Sequence, residues 1–309
     1  MTKNLVYTIW EEIRIDPNFT DKQINTLTQF KKYKDRLTAL QKEYAEKYCD
    51  AEYKIVYTNC KDMSTMKVPY YIQSDYDTIN FEKVFLLEDF AKSGKYENIL
   101  YMDLDMIPST TKSFFKKFDM SKTVIRHEPS HRYDKLGLQA LLDTLIKENK
   151  EHKKYFETLK NNGKWVEYAR EYIDKHFDEA FQKLDKYHWL VKGECVDRMI
   201  DQFEVIPRHN TLNTGTIGGS SKAINSLKIS ERFPQYVKDF EELKKKEPKF
   251  QMNNEIFLCW LINKYNCRYQ QMPEHWHSLC LTTEDVKHAC MWQVIDKDFD
   301  RALNLQSFS

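Results

Sequence analysis

The stretch NILYMDLDMIP occupies residues 98–108. Residues 99–102 are continuously apolar, which is typical of a central strand covered on both faces. Pro108 lacks a backbone N–H and cannot continue a central ladder, so the chain is expected to leave the sheet there. The stretch therefore predicts a buried strand whose carboxyl end carries Asp103 and Asp105.

The segments before this strand alternate between strand and helix patterns. Residues 5–9 and 53–57 read as short strands, and between them a helix is expected to begin near Asn18 or Thr20, which are typical capping residues. A second helix is predicted from about residue 80 to residue 93. Strands joined by crossover helices pair in parallel. The predicted fold class is therefore α/β, with a mostly parallel central sheet flanked by helices.

The rest of the chain divides into a helical part and a second α/β part. Residues 127–207 are charged, helical in pattern and free of proline between Pro129 and Pro207, and we interpret them as a helical insertion. Residues 212–219 predict a strand that ends in a tight turn. Residues 268–272 predict a final strand. We interpret residues 1–309 as one domain that carries this insertion.

Composition excludes several classes of protein. The chain has 309 residues, with 48 Lys and Arg against 47 Asp and Glu, and this balance argues against a nucleic-acid partner held by an overall basic field. No apolar run approaches the roughly 18–20 residues of a membrane span, and no signal-peptide pattern opens the sequence. The seven cysteines form no CxxC pair, which favours reduced, buried thiols. Together these features predict a cytoplasmic protein.

Asp103 and Asp105 are the strongest candidates for chemistry. Residues two apart on a strand point to the same face, so both carboxylates can reach one site beyond the strand. They would repel each other unless a cation lay between them. Carboxylate oxygens suit Mg²⁺ or Mn²⁺, and such an ion can in turn hold a diphosphate.

Several segments resemble one enzyme family. Residues 98–108 resemble the DxD strand of nucleotide-sugar-dependent glycosyltransferases with the GT-A fold, the superfamily that includes the glycogenin-like enzymes. Residues 212–215 are similar to the F-N-[ST]-G strand that lies beside the donor sugar in that family. Asn253, Asn254 and Glu255 resemble the start of its acceptor-side helix. The likeness covers about residues 1–125 and 205–295 in the same order.

The resemblance implies a transferase that moves a sugar from a nucleotide sugar, with a UDP-hexose as the expected donor, to a hydroxyl of a glycan or glycoprotein acceptor. It implies a Mn²⁺ or Mg²⁺ ion on Asp103 and Asp105, and Glu255 as the general base or as a carboxylate facing the sugar. Asn254 stands where many relatives have an acid. The donor-binding residues implied by the resemblance are Thr8, Ile9, Trp10, Asp75, Lys83, Asp103, Leu104, Asn213 and Gly215.

The family also implies a third metal ligand, a histidine from the C-terminal part of the chain. The choice lies among His275, His277 and His288, and we favour His288. The family's H-x-x-G-x-x-K pattern is not intact, because no glycine follows His288 and Lys297 lies beyond the usual spacing.

Other functions fit parts of the sequence. A phosphohydrolase of the haloacid dehalogenase type also uses Asp-x-Asp after an apolar strand, but its motif usually lies near the N-terminus. A non-catalytic binding scaffold with the same fold is a further alternative. A nucleotidyltransferase is less favoured, because glycine is absent before Gly94 and no glycine-rich phosphate loop precedes the DxD stretch.

Overall fold

The computed structural model describes residues 3–306 except 14–18, 59–74, 130, 131, 133, 148, 162–164, 187, 204, 281–285 and 287. Within these residues the main sheet has six strands, in the spatial order β2-β1-β3-β6-β5-β7. The strands are β1 (Asn4–Trp10), β2 (Ala51–Tyr57), β3 (Asn98–Met102), β5 (Thr123–Pro129), β6 (Asn210–Ser220) and β7 (Tyr269–Gln271).

The central sheet is mostly parallel. β1 pairs in parallel with both β2 and β3, and β5 pairs in parallel with β7. β6 runs antiparallel to both of its neighbours, β3 and β5. The α/β class and the mostly parallel sheet predicted from the sequence are therefore confirmed.

Helices cover the sheet and fill the segment between β5 and β6. The helices are α1 (Asp21–Glu43), α2 (Asp75–Lys92), α3 (Phe114–Lys117), α4 (Lys135–Ile146), α5 (Lys150–Asn161), α6 (Trp165–Lys183), α7 (Trp189–Met199), α8 (Ser221–Ser226), α9 (Ile229–Lys246), α10 (Asn254–Lys264) and α11 (Phe299–Leu305). None of the helices in the described residues is both long and apolar enough to cross a membrane.

The helices between β5 and β6 share a hydrophobic core with the sheet. Leu141 of α4 and Ile173 of α6 belong to the same buried cluster as Leu5, Ile99 and Ile217 of the strands. β5 runs to Pro129, so the first three residues of the predicted insertion belong to this strand. The four helices α4–α7 then follow before β6 begins.

A small second sheet lies at the end of β3. It contains β4 (Met106–Pro108), β9 (Met291–Val294) and β8 (Ser278–Cys280), in the order β4-β9-β8. Met106 pairs with Gln293 in this sheet. The chain has already left the main sheet after Met102, and Pro108 lies in β4, which is an edge strand of the second sheet and so tolerates a residue without an N–H.

Local signals in the sequence place the first helix accurately. Thr20 caps α1 by accepting a hydrogen bond from the Gln23 N–H, and the Gln23 side chain accepts one from the Thr20 N–H, which completes a capping box. The alternative start at Asn18 lies outside the described residues. The five described cysteines are free and buried, as the sequence predicts.

Gly218 lies where β6 passes the ring of Phe114, and replacing it with alanine is expected to destabilise the fold. A Cβ at Gly218 would lie 2.4 Å from Cε1 of Phe114, so this ring or the strand must move. Overpacking of this kind costs about 1–3 kcal/mol of unfolding free energy. Urea unfolding of Gly218→Ala measures the loss, and Phe114→Leu in the same chain should restore part of it. An unchanged unfolding free energy in Gly218→Ala would contradict this packing.

Candidate active site

Asp103 directly follows β3, and its carboxylate contacts two buried side chains. Its Oδ1 atom accepts a hydrogen bond from the Tyr101 hydroxyl at 2.5 Å and pairs with Lys83 Nζ at 3.0 Å. Burial, and next the Asp103 charge, raise the pKa of Tyr101 well above its usual value, so the hydroxyl stays protonated and donates. Lys83, which the resemblance implies as a donor-binding residue, is 3% exposed. It therefore contacts Asp103 from the protein interior.

Asp105 is almost completely buried, and it pairs with Lys297 through Oδ2. Its Oδ1 atom lies 3.4 Å from Gln293 Nε2, and Oδ2 of Asp103 lies 3.4 Å from the same nitrogen. Asp103 thus directs one oxygen to Lys83 and the other to the Gln293 amide, whereas both oxygens of Asp105 lie 3.4 Å from this amide and one of them also pairs with Lys297. The charges of the two aspartates and the two lysines cancel within this cluster.

The turn between β3 and β4 is fixed by backbone and amide contacts. Gln41 of α1 donates from Nε2 to the carbonyl oxygens of Asp103 and Met106, at 2.8 and 2.9 Å. The Asp103 N–H donates to the Gly215 carbonyl oxygen at 2.7 Å. The turn is thus held from α1 on one side and β6 on the other, and rigid support of this kind fixes the direction of both carboxylates.

A cleft of about 1360 Å³ opens beside the two aspartates. Its lining combines the carboxyl end of β1, through Ile9 and Trp10, with Asp103, Asp105 and Lys297. The end of β1 and the end of β3 therefore face the same space, as expected for ligand sites beyond parallel strands. Other residues of the lining include Glu11, Phe30, Thr58, Asn80, Leu104 and Gln293.

The donor residues implied by the resemblance lie at different depths around this cleft. Ile9, Trp10 and Leu104 line it, and the Trp10 ring is also 5.1 Å from Lys34 Nζ. Thr8 is fully buried and does not line it. Asp75 is the first residue of α2, and its side chain lies outside the described part of the chain.

Asn213 and Gly215 of β6 lie next to the aspartates, behind Gln293. Asn213 Oδ1 accepts from the Gly215 N–H at 2.9 Å, and Asn213 Nδ2 lies 3.5 Å from Gln293 Oε1. A Cβ on Gly215 would approach His277, Asn213 and Gln293 to 3.0–3.2 Å, so any larger residue requires these three side chains to shift by a few tenths of an ångström. The strand that resembles the family's sugar-side strand is therefore packed directly against the aspartate cluster.

His277 is the histidine that reaches this cluster. Its Nε2 atom lies 3.3 Å from Gln293 Oε1, and Arg126 donates to its carbonyl oxygen. Burial, and next the Arg126 charge, lower the pKa of His277 to about 3, so its imidazole is neutral at physiological pH. His275 is exposed, and so is His288, which lies on a turn before β9 and makes no hydrogen bond or ion pair with either aspartate in the described structure. The structure thus brings His277 to the cluster and leaves the favoured His288 outside it.

Replacing His277 with glutamine is expected to reduce the acid sensitivity of folding. The folded pKa of about 3 lies below the ordinary value of 6.5, so the unfolded chain binds the proton first. Stability from this group is complete above pH 6.5 and falls by about 1.4 kcal/mol for each pH unit below it. Between pH 7 and pH 5, His277→Gln should lose about 2 kcal/mol less unfolding free energy than wild type.

Urea unfolding at pH 5, 6 and 7 in the presence of EDTA measures this difference. The exposed His275→Gln is the matched control and should follow the wild-type pH dependence. Parallel curves for wild type and His277→Gln would show that His277 is protonated as easily in the folded chain as in the unfolded one.

A second group of charged side chains lies on the other side of Asn213. Asn213 Nδ2 donates to Glu128 Oε1 at 3.0 Å, and Lys192 of α7 pairs with Glu255 at the start of α10. Burial, and next the negative charge of Glu255, raise the pKa of Glu128. Burial lowers the pKa of Lys192, but the negative charges of Glu255 and Glu128 outweigh the effect of burial, so the pKa of Lys192 is raised. This group therefore combines two glutamates with Lys192 and with Arg126, whose guanidinium lies 3.9 Å from Glu128 Oε1.

Asn254 and Glu255 have different surroundings although they are neighbours in sequence. Asn254 is 2% exposed and donates from Nδ2 to the Thr214 hydroxyl at 2.9 Å, which joins α10 to β6. Asn253 caps α10 by accepting from the Glu255 N–H at 2.7 Å. Glu255 is thereby placed at the first turn of the helix, facing Lys192.

Four side chains of this site were not identified from the sequence as site residues. They are Glu128 at the end of β5, Lys192 in the helical segment, and Gln293 and Lys297 near the C-terminus. Gln293 is brought to Asp105 by the pairing of β4 with β9, across 188 residues of sequence. Lys297 follows His288 in the sequence, but no local pattern around this lysine predicts its contact with Asp105.

No protein-family model matches this chain, and no curated protein sequence matches it. Among solved structures, it resembles a glycosyltransferase involved in glycosylation of the major capsid of PBCV-1, with 10% identity, coverage of 98% of this chain and 99% of that chain, and a TM-score of 0.47.

Two further solved structures resemble the chain over nearly its whole length. Galactosyltransferase LgtC, in complex with donor and acceptor sugar analogs, is 9% identical, with 97% of this chain and 94% of that chain covered and a TM-score of 0.42. Mouse xyloside xylosyltransferase 1 is 10% identical, with 96% and 98% covered and a TM-score of 0.40. At TM-scores below 0.5 the likeness does not assign an activity to this chain.

Proposed function

We propose that this chain is a metal-dependent glycosyltransferase. The observation that carries the proposal is the convergence of Asp103 and Asp105 on Gln293 at the mouth of the cleft beyond β1 and β3. The donor is a nucleotide sugar, with a UDP-hexose as the first choice, and the acceptor is a hydroxyl of a glycan or a glycoprotein.

The residues of the aspartate cluster fit a divalent cation such as Mn²⁺ or Mg²⁺. Asp103 Oδ2 and Asp105 Oδ1 converge on one amide at the long distance of 3.4 Å, and inversion of that amide would turn its oxygen toward the carboxylates. Carboxylate and amide oxygens are the ligands these hard ions prefer. Neutral His277 lies beside Gln293 as a nitrogen donor, and we place it ahead of His288 as the histidine of this site.

The charge of the cluster favours binding a cation and a diphosphate together. Two aspartates and two lysines are neutral as a group, so a divalent cation alone would leave an excess positive charge. The diphosphate of a nucleotide sugar supplies the matching negative charge, and Lys297 lines the cleft where it can contact a phosphate oxygen. When bound, the cation stabilises the negative charge that develops on the leaving diphosphate.

The end of β1 provides the nucleotide side of the cleft. Ile9 and the half-buried Trp10 line it, and we place a base such as uracil against the Trp10 ring. Asn213 and Gly215 lie between the aspartates and Glu128, so we place the donor sugar against this part of β6. The sugar then lies between the diphosphate and the two glutamates.

The glutamate pair supplies the acid–base chemistry on the acceptor side. The attacking hydroxyl must lose its proton, and a glutamate with a raised pKa is a better proton acceptor than an ordinary one. Glu128 has that raised pKa, because burial and the Glu255 charge outweigh the nearby charge of Arg126, and Glu255 forms an ion pair with Lys192. We therefore propose Glu128 as the base, with Glu255 tuning it, in place of Glu255 alone.

The phosphohydrolase alternative makes a different demand on Asp103. In that mechanism an aspartate attacks phosphorus and forms a phosphoaspartate, so one carboxylate oxygen must face the substrate. Asp103 directs Oδ1 to Lys83 and Tyr101, and its other oxygen faces Gln293. Both carboxylates are arranged toward a shared point, which favours ion binding over nucleophilic attack.

Thermal-shift and calorimetric titrations test the proposal. We expect one class of nucleotide sugar, UDP-sugars first and GDP- and CMP-sugars as comparisons, to stabilise the chain with Mn²⁺ and not with EDTA. Release of UDP with a hydroxyl acceptor then measures transfer. Hydrolysis of a phosphomonoester without nucleotide-sugar binding would instead support the phosphohydrolase.

A further inference from the structure

A cluster of two histidines and one glutamate lies in the helical segment between β5 and β6. His152 belongs to α5, and His176 and Glu179 belong to α6. One potential ligand atom from each of the three lies within 4.8 Å of the other two. The three side chains come from two helices, so they meet only because α5 packs against α6.

Local geometry directs the histidines toward each other. The backbone of α6 departs from helical geometry at His176, with φ −120° and ψ 15°, and this kink lies within the cluster. The His152 and His176 ring centroids are 5.5 Å apart, and Tyr172 packs against both rings. In the described structure, the buried Nδ1 of His152 has no hydrogen-bond partner.

Glu179 is available as an ionised ligand. Its Oε2 atom lies 3.6 Å from His176 Nδ1, and its Oε1 atom lies 3.1 Å from Lys183 Nζ. The hydrogen bond from Lys183 is the largest cause that lowers the pKa of Glu179, which keeps the carboxylate charged. One carboxylate oxygen therefore faces the histidines while the other is paired.

We propose that His152, His176 and Glu179 bind a zinc ion that fastens α5 to α6. Two imidazoles and one carboxylate form a ligand set that zinc accepts, with water in the fourth position. Tetrahedral zinc holds such atoms about 3.3 Å apart, and Glu179 Oε2 already lies 3.6 Å from His176 Nδ1. The site is separate from the proposed Asp103 site, which offers mainly the oxygen ligands that Mg²⁺ prefers.

The test uses the full chain in excess Mg²⁺. The Mg²⁺ competes with added Zn²⁺ for the oxygen ligands of the aspartate cluster. Calorimetry measures the stoichiometry and affinity of Zn²⁺, and diffraction at the zinc absorption edge locates the ion. Melting curves with and without Zn²⁺ provide a readout that does not depend on activity. Glu179→Gln and His176→Gln remove ligands, and His275→Gln is the exposed histidine control.

We expect one Zn²⁺ ion per chain at this cluster, a higher Tm with zinc, and affinity at least about tenfold weaker in both ligand variants. His275→Gln should behave as wild type. Glu179 is exposed, so its variant tests the site even if His176→Gln fails to fold. Zinc located elsewhere, or bound equally by wild type and Glu179→Gln, would overturn the proposal.

Discussion

Asp105→Asn is expected to lower sugar transfer by about 10³-fold or more, which corresponds to about 4 kcal/mol of transition-state stabilisation. The substitution keeps the shape of the side chain and removes the charge that would hold the divalent cation. It also leaves Lys297 without its carboxylate partner in a nearly buried position. Initial rates with saturating donor and Mn²⁺ measure the loss.

Binding measurements separate this effect from misfolding. Asp105→Asn should lose the part of nucleotide-sugar binding that depends on Mn²⁺, while its melting curve remains cooperative. Asp201→Asn, an exposed aspartate outside the cleft lining, is the matched control and should keep wild-type activity. Wild-type rates in Asp105→Asn would remove the metal site from the proposed mechanism.

Glu128→Gln is expected to lower kcat by about 10²–10⁴-fold, the usual contribution of a positioned general base. The amide keeps an oxygen that accepts the hydrogen bond from Asn213, so donor binding should change little. The acid limb of the pH–rate profile should disappear, because the group whose raised pKa produces it is gone. Steady-state rates between pH 5 and pH 8 measure both effects.

Glu255→Gln is the matched variant on the other member of the pair. It removes a negative charge that raises the pKa of Glu128, so the acid limb should move to lower pH. Its kcat near neutral pH should stay within about tenfold of wild type, which is below the loss typical of a base. If Glu255→Gln lost more activity than Glu128→Gln, Glu255 would be the base, as first inferred from the sequence.

The central strand and the first helix could be predicted because their signals are local. The apolar residues 99–102 and the following Pro108 indicate a buried strand and its end without any knowledge of the neighbours. Thr20 and Gln23 carry a capping box within four residues. Asp103 and Asp105 could be singled out because they directly follow this apolar strand, but the structure places both in the turn before β4, so the turn brings their carboxylates together and strand alternation does not.

The partners of these aspartates could not be predicted, because long-range pairing brings them into the site. Gln293 is a residue of ordinary type, and only the register of β9 on β4 places it at Asp105. Lys192 lies on a charged helix where any lysine would be expected to face solvent. His288 was favoured because it follows a helix-like turn, whereas His277 reaches the cluster through the packing of the segment before β8.

The late position of β9 in the chain has a consequence for synthesis. When a ribosome has made everything before Met291, both aspartates, β3 and β6 exist, but Gln293 and Lys297 do not. Among the described residues, Asp103 then has only Lys83 as a cationic partner, and Asp105 lacks both the Lys297 ammonium group and the Gln293 amide. A nascent chain that stops before Met291 therefore lacks part of the proposed site, which is assembled only after β9 has been made and has paired with β4.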